Sequence, residues 1–169
     1  DHGLLAWTEE IGAVANNSLV PTAGTLYLVR LHVPLACSVT NLLMYCTTGG
    51  TTMTSGQNFA ALFNPSPMTR VGVTADQSAT WNSSGLKTMA LVSGPFNLAA
   101  GDFYAGFYTN AATLPSFARG SNIASAFPNI GLSAANSRAA TSSTGLTTAM
   151  PTTAATLAAS AFIWWIGLN

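Results

Sequence analysis

Charge is nearly missing from this sequence. Five basic and five acidic residues make up 6% of the 169 residues, and they cancel to a net charge of zero. A soluble domain carries roughly 25% charged residues. Nucleic-acid binding is therefore not expected, because phosphate neutralisation needs clustered Lys and Arg. Electrostatic attachment to a membrane surface is disfavoured for the same reason. A compact monomer of this mass exposes about 7,800 Å², and ten charges cover that thinly. Ser, Thr, Asn, Gln and Gly must supply the polar surface, or an oligomer must hide part of it. The composition predicts both together.

Long hydrophobic runs are also missing. Nothing approaches the roughly 18 apolar residues of a spanning helix, and AFIWWIGL near the C-terminus has the length of a strand. There is no membrane insertion to expect. The sequence opens with neither a signal peptide nor an initiator Met, which predicts a processed chain or a fragment with its missing part upstream. Cysteine is scarce, at Cys37 and Cys46. On one continuous strand their spacing would hold them roughly 30 Å apart. A disulfide would require the chain to fold back between them, and buried free thiols are the expectation.

The shortage of titratable groups weighs against catalysis. Glu9 and Glu10 are adjacent, so on a strand they face opposite ways. Asp76 and Asp102 sit beside turn signals, where Asp usually supports the local backbone. His2 and His32 are far apart and, with the two cysteines, show no metal-ligand spacing. No GxSxG elbow and no phosphate-binding loop is present. No enzyme and no cofactor is expected.

What is abundant is β-pattern. The stretch Thr25–Thr47 is the longest β-rich run, two strand-like segments divided by Pro34 and Leu35. Tyr27, Val29, Leu31 and Val33 form an apolar face at period two, opposite Leu26, Leu28, Arg30 and His32. Val39–Cys46 is apolar on both faces toward its end, as in a strand buried on both sides. Such a strand belongs inside a sandwich or against a neighbouring subunit. Further strands are predicted at Leu4–Thr8, Asn58–Asn64, Met68–Thr74, Leu86–Val92, Phe103–Thr109 and Ala161–Leu168. The second and third of these form a hairpin with a four-residue connection through Pro65 and Pro67. Asn16–Gly24 reads as turn-rich. ADQSATWN at 75–82 reads as a short helical turn that buries Trp81. Gly106, between Tyr104 and Tyr108, leaves a flat spot where another backbone or a ligand can approach.

Residues 111–159 are rich in Ala, Ser, Thr, Asn and Gly, with sparse anchors at Phe117, Ile123, Phe127, Ile130 and Leu132. Long loops with short pairings are expected there, packed across a subunit boundary. The architecture is therefore a single all-β domain over 1–169. It is an antiparallel β-sandwich of jelly-roll type with long loops. Residues 1–23 form a lead-in from an upstream shaft or domain, and 111–159 a loop-rich segment.

Binding candidates come from the aromatics. Flat rings can stack on the apolar faces of sugars, and Trp81, Tyr104, Tyr108, Trp164 and Trp165 carry them. Tyr104 and Tyr108 on one strand face, with Asn110 just beyond and Trp81 elsewhere, are the best candidates for such a patch. Core or interface roles are the competing reading for each. Arg30 and Arg119 are candidates to anchor an anionic group or to form surface pairs. Asn16-Asn17-Ser18 and Asn82-Ser83-Ser84 match the glycosylation acceptor pattern.

A series of segments in order carries a resemblance: DHGLLAW, GTLYLVRLHVP, SVTNLL, TSGQNFAALF, TADQSATWNSSGLKTMAL, LAAGDFYAGFY and PSFARGSN. Together, from Asp1 to about Asn122, they resemble the C-terminal modules of actinobacteriophage minor tail or tail-fibre proteins. Similar modules occur in prophage-like proteins of actinobacterial genomes. The resemblance implies a β-sandwich on the virion surface, forming a homotrimer at the end of a fibre, beside other virion proteins. Its partner would be the host cell surface, including a surface glycan. A capsid fibre, decoration or tail-assembly role without a ligand is the alternative, and a cell-wall depolymerase is the third.

Overall fold

The computed structural model describes residues 2–120 and 127–169, with side chains for all of these but 15–17. The fold is all-β. Its strands are β1 (Ala6–Trp7), β2 (Val14–Leu19), β3 (Tyr27–Val33), β4 (Cys37–Val39), β5 (Asn41–Thr48) and β6 (Thr51–Met53). They continue as β7 (Phe59–Phe63), β8 (Arg70–Val73), β9 (Gly85–Ala90), β10 (Phe96–Leu98) and β11 (Gly101–Tyr108). The last are β12 (Ala111–Thr113), β13 (Ser116–Gly120), β14 (Ala139–Thr141), β15 (Ala158–Ala159) and β16 (Ile166–Leu168).

Two large antiparallel sheets carry the structure. In the first, β5 is central: β9 pairs along one edge, and β16 and then β13 pair along the other. Beyond them lie β1 on β16 and β2 on β13. The second sheet runs β15-β14-β3-β11-β7-β8. The sheets share one core. The first contributes Leu42, Met44, Phe117, Trp164 and Ile166, and the second Val29, Leu31, Leu62, Ala105 and Phe107. Trp81, Phe107, Phe117 and Trp164 meet edge-on at its centre, with Phe107–Phe117 and Phe107–Trp164 centroids both 5.1 Å apart, a preferred aromatic geometry. The chain exposes 7473 Å², close to the area expected of a compact monomer of this size.

The alternation in β3 and β11 reads correctly onto the two faces. Tyr27, Val29, Leu31 and Val33 enter the shared core, while Leu28 and Tyr104 lie on the outer face. The turn at 75–82 forms, with Trp81 N–H bonded to Gln77 C=O at 2.8 Å and the indole fully buried. At Gly106 a Cβ would come within 2.5 Å of the Tyr27 carbonyl, so the flat spot serves a neighbouring backbone. Cys37 and Cys46 are free thiols, Cys46 buried. Burial pushes its thiol above the ordinary value, an effect that Lys87 and the bond to Thr48 C=O only partly oppose.

Several expectations are corrected. The turn-rich reading of 16–24 holds for 20–24 but gives way to β2 over 16–19, because pairing with β13 overrides weak local propensity. Residues 6–7 and 14–19 pair into the first sheet as β1 and β2, with a 3-10 turn at Ile11–Ala13 between them. The acceptor asparagines 16 and 17 have side chains outside the description, and Ile123 lies in the segment 121–126, also outside it. The proline hairpin has a six-residue connection, 64–69, closed by Asn64 N–H to Thr69 C=O at 2.9 Å. The C-terminal strand is confined to 166–168, since Trp164 makes only an isolated bridge to Arg119.

The largest correction concerns residues 137–157. They are loops with short pairings, as expected, but they lie on the chain's own second sheet and need no subunit boundary. Ala140, Met150, Ala154 and Leu157 pack over Leu26, Leu28, Ala61, Phe63, Tyr104 and Tyr108.

Candidate functional site

The cover over the second sheet stops short of one end of β3 and β11. Strand β14 begins at Ala139 and pairs with β3 only over Tyr27–Val29. The last bond on that edge joins Arg30 N–H to Arg138 C=O at 2.7 Å. Past that point the outer face turns polar, with Arg30 and His32 on β3 and Asp102 on β11. In the β3–β11 register Asp102 faces His32, and Tyr104 faces Arg30. Strand β1 closes the other side. The result is a cleft of about 320 Å³ lined by Trp7, Thr8, Arg30, Leu31, His32, Asp102 and Arg138.

Glu9 and Glu10 bond to its walls. Glu9 accepts from Arg138 at 3.0 Å, and Glu10 accepts from Trp7 Nε1–H at 2.9 Å. Five of the chain's ten charged residues therefore collect at one place. These pairs are partly exposed, and solvent-screened ion pairs contribute little to stability, typically about 0–1 kcal/mol, so the fold gains little from gathering them there.

The cleft's hydrogen-bonding capacity is only partly used. His32 Nδ1 lies 2.8 Å from Asp102 Oδ1; the carboxylate only accepts, so the imidazole N–H donates. Asp102 Oδ2 is 4.0 Å from Arg30 Nε, too far for a hydrogen bond. Among the described residues the Arg30 guanidinium makes no hydrogen bond, although its side chain is only 28% exposed. Arg138 bonds to Thr8 C=O and Glu9 through one nitrogen, Nη2.

The aromatic patch expected from sequence lies elsewhere. Tyr104, Tyr108 and Trp81 are at most 1% exposed, so they offer no face for a sugar to stack on. Tyr104 donates to Ser137 C=O at 2.6 Å, and Tyr108 donates to Thr148 C=O. Burial raises both phenol pKa values, that of Tyr108 to about 12. Trp81 Nε1–H points to Met89 Sδ at 3.3 Å. Asn110 is half-buried and ties Leu146 C=O at 2.7 Å. These four hold the core, the turn and the cover. Arg119 lies over the Phe162 ring at 5.2 Å, and desolvation lowers its pKa. Arg30 is the earlier candidate that does line the cleft. His32 and Asp102 could have been joined from sequence only by pairing β3 with β11 in register. Trp7 and Arg138 come from opposite ends of the chain, and no local signal links them.

A second concavity lies on the outer face of the first sheet, where Leu4 and Val14 pack against buried Leu43, Ala118 and Trp165 and leave the rest open. It encloses about 630 Å³ and is lined mainly by apolar side chains, Leu4, Ile11, Val14, Leu43, Tyr45, Leu86, Ala118 and Trp165, together with His2 and Thr47. Tyr45 and Leu86 are opposite each other on β5 and β9 and remain 46% and 55% exposed. No group of His, Cys, Asp and Glu among the described residues could hold a metal ion. No family model matches the chain, and neither a curated protein nor a solved structure is significantly similar to it.

Proposed function

We propose that the chain is a binding module of a phage virion surface, the head of a tail-fibre or minor tail protein that contacts the host cell. Jelly-roll connectivity and a homotrimeric state are part of the same proposal. The observation that carries it is the cleft: scarce charge gathered beside a tryptophan, where it contributes little to stability. The sequence resemblance supplies the virion setting. Three copies would multiply weak contacts into useful avidity. The role is binding, and release of reducing sugars from host cell wall by the purified chain, lost in Asp102→Asn, would replace it with catalysis. Labelled chain should decorate host cells, and Arg30→Ala with Arg138→Ala should abolish the labelling. Equal labelling by the double variant would overturn the role of the cleft, and absence of labelling would overturn the adhesion reading.

The groove on the first sheet favours a second reading, an assembly module without an essential ligand. Exposed large apolar side chains in a weakly charged surface suit a homo-oligomer interface. A second and third copy of this chain are the occupants we assign to it. Light scattering from micromolar to nanomolar concentration should give a stable trimer, dissociated by Leu86→Asp. A monomer throughout would remove the trimer from the proposal.

A further inference from the structure

We infer that the cleft binds a neutral sugar through an adjacent pair of its hydroxyls, held between Arg30 and Asp102 with the sugar ring against Trp7. The inference deepens the adhesion reading and rests on it. The argument begins with which bonding positions are open. Among the described residues the Arg30 guanidinium donates to nothing, and Asp102 Oδ2 accepts from nothing within hydrogen-bond distance. An open fork of donors and an open acceptor thus stand side by side. A hydroxyl is both donor and acceptor. Two neighbouring hydroxyls can accept from the guanidinium and donate to the carboxylate together, forming charge-assisted bonds.

An anion matches the site less well. It would accept from Arg30 but meet the carboxylate of Asp102 at the same point. Arg138, the other cation, is already neutralised by Glu9 at 3.0 Å. A purely apolar ligand would leave Arg30 and Asp102 stripped of water without partners. Trp7 adds what a sugar needs and an inorganic ion does not. Its half-buried indole is tethered at Nε1 by Glu10, which leaves the ring as an apolar wall. His32 holds the other carboxylate oxygen and so fixes the orientation of Asp102.

The test is titration of the full chain, followed by NMR, with galactose, mannose and glucose, then with glucuronate and inorganic sulfate. At least one neutral sugar should bind, and sulfate should bind no better. Asp102→Asn should weaken sugar binding about tenfold or more, as should Arg30→Lys. Asp102→Asn reverses sign for an anion site, where removing the negative charge would tighten sulfate or glucuronate binding. That result would overturn the inference, as would failure of all three neutral sugars to shift any cleft resonance. If Asp102→Asn fails to fold, Trp7→Ala and His32→Ala, the latter at a mostly exposed position, should each weaken the sugar, and unchanged sugar affinity in both would overturn the inference. Sugar binding without cell labelling would support the inference and remove adhesion. Cell labelling unchanged by cleft variants, with no sugar bound, would keep adhesion and remove the inference.

Discussion

The two sheets each have an outer face built from apolar side chains, and the molecule covers one almost fully and the other only in part. On the second sheet, residues 137–157 lie over Phe63, Tyr104 and Tyr108 and are stitched down by polar bonds. Tyr104 and Tyr108 donate to Ser137 and Thr148 carbonyls, Arg70 donates to the Met150 carbonyl, and Asn110 holds Leu146. On the first sheet, Leu43, Tyr45 and Leu86 line an open groove. A strand apolar on both faces therefore says only that the second face needs cover. It does not say whether the cover comes from the same chain or another copy.

The contrast is broken most forcefully by truncation. Phe63→Ala beneath the cover should cost about 3–5 kcal/mol, measured by urea denaturation. Leu86→Ala on the partly open face should change stability by less than about 0.5 kcal/mol in a monomer. If copies associate through the groove, its effect should grow with protein concentration.

Alkaline pH attacks the covered face through Tyr108. Tyr108 has its phenol pKa raised from 10.0 to about 12 by burial, with Asp76 adding to the effect. A raised folded value means the contribution is fully present below pH 10 and is lost as pH rises through about 12. The loss should approach about 2–3 kcal/mol, and Tyr108→Phe should flatten the curve in denaturation series across that range.

Asn129 tests how the cover is anchored. Its buried amide donates to Ala139 and Ser160 carbonyls, both at 2.9 Å, and accepts from Ala139 N–H at 3.0 Å. Asn129→Ala should cost about 1–3 kcal/mol, with amide exchange accelerating around β14 before the shared core. The cleft should also respond weakly. Glu9→Gln, which removes the charge facing Arg138, should shift stability by at most about 1 kcal/mol in the same denaturation assay. A much larger loss would make the cleft a structural feature.

Much of the strand content was legible in the sequence. Period-two alternation in Tyr27–Val33 and Phe103–Tyr108 assigned side chains to the correct faces, and Trp81 was placed in a buried turn. Strand β2 was not legible, because Asn16-Asn17-Ser18 carries turn composition and becomes a strand only by pairing with β13. The burial of Tyr104 and Tyr108 was not legible for a related reason. Alternation puts Tyr104 and Tyr108 on the outer face, but it cannot show that a segment some 30–50 residues later lies on top of them.

The sequence by itself determined that this protein is all-β, weakly charged, without a long apolar run, and organised around the strands of Thr25–Thr47. These follow from local periodicity and composition, which act residue by residue. Only the tertiary structure decided which outer face is covered and where Trp7, Arg30, Asp102 and Arg138 meet. Those outcomes depend on contacts across as many as 130 positions of chain, and such contacts are set by packing and register, which no local pattern encodes.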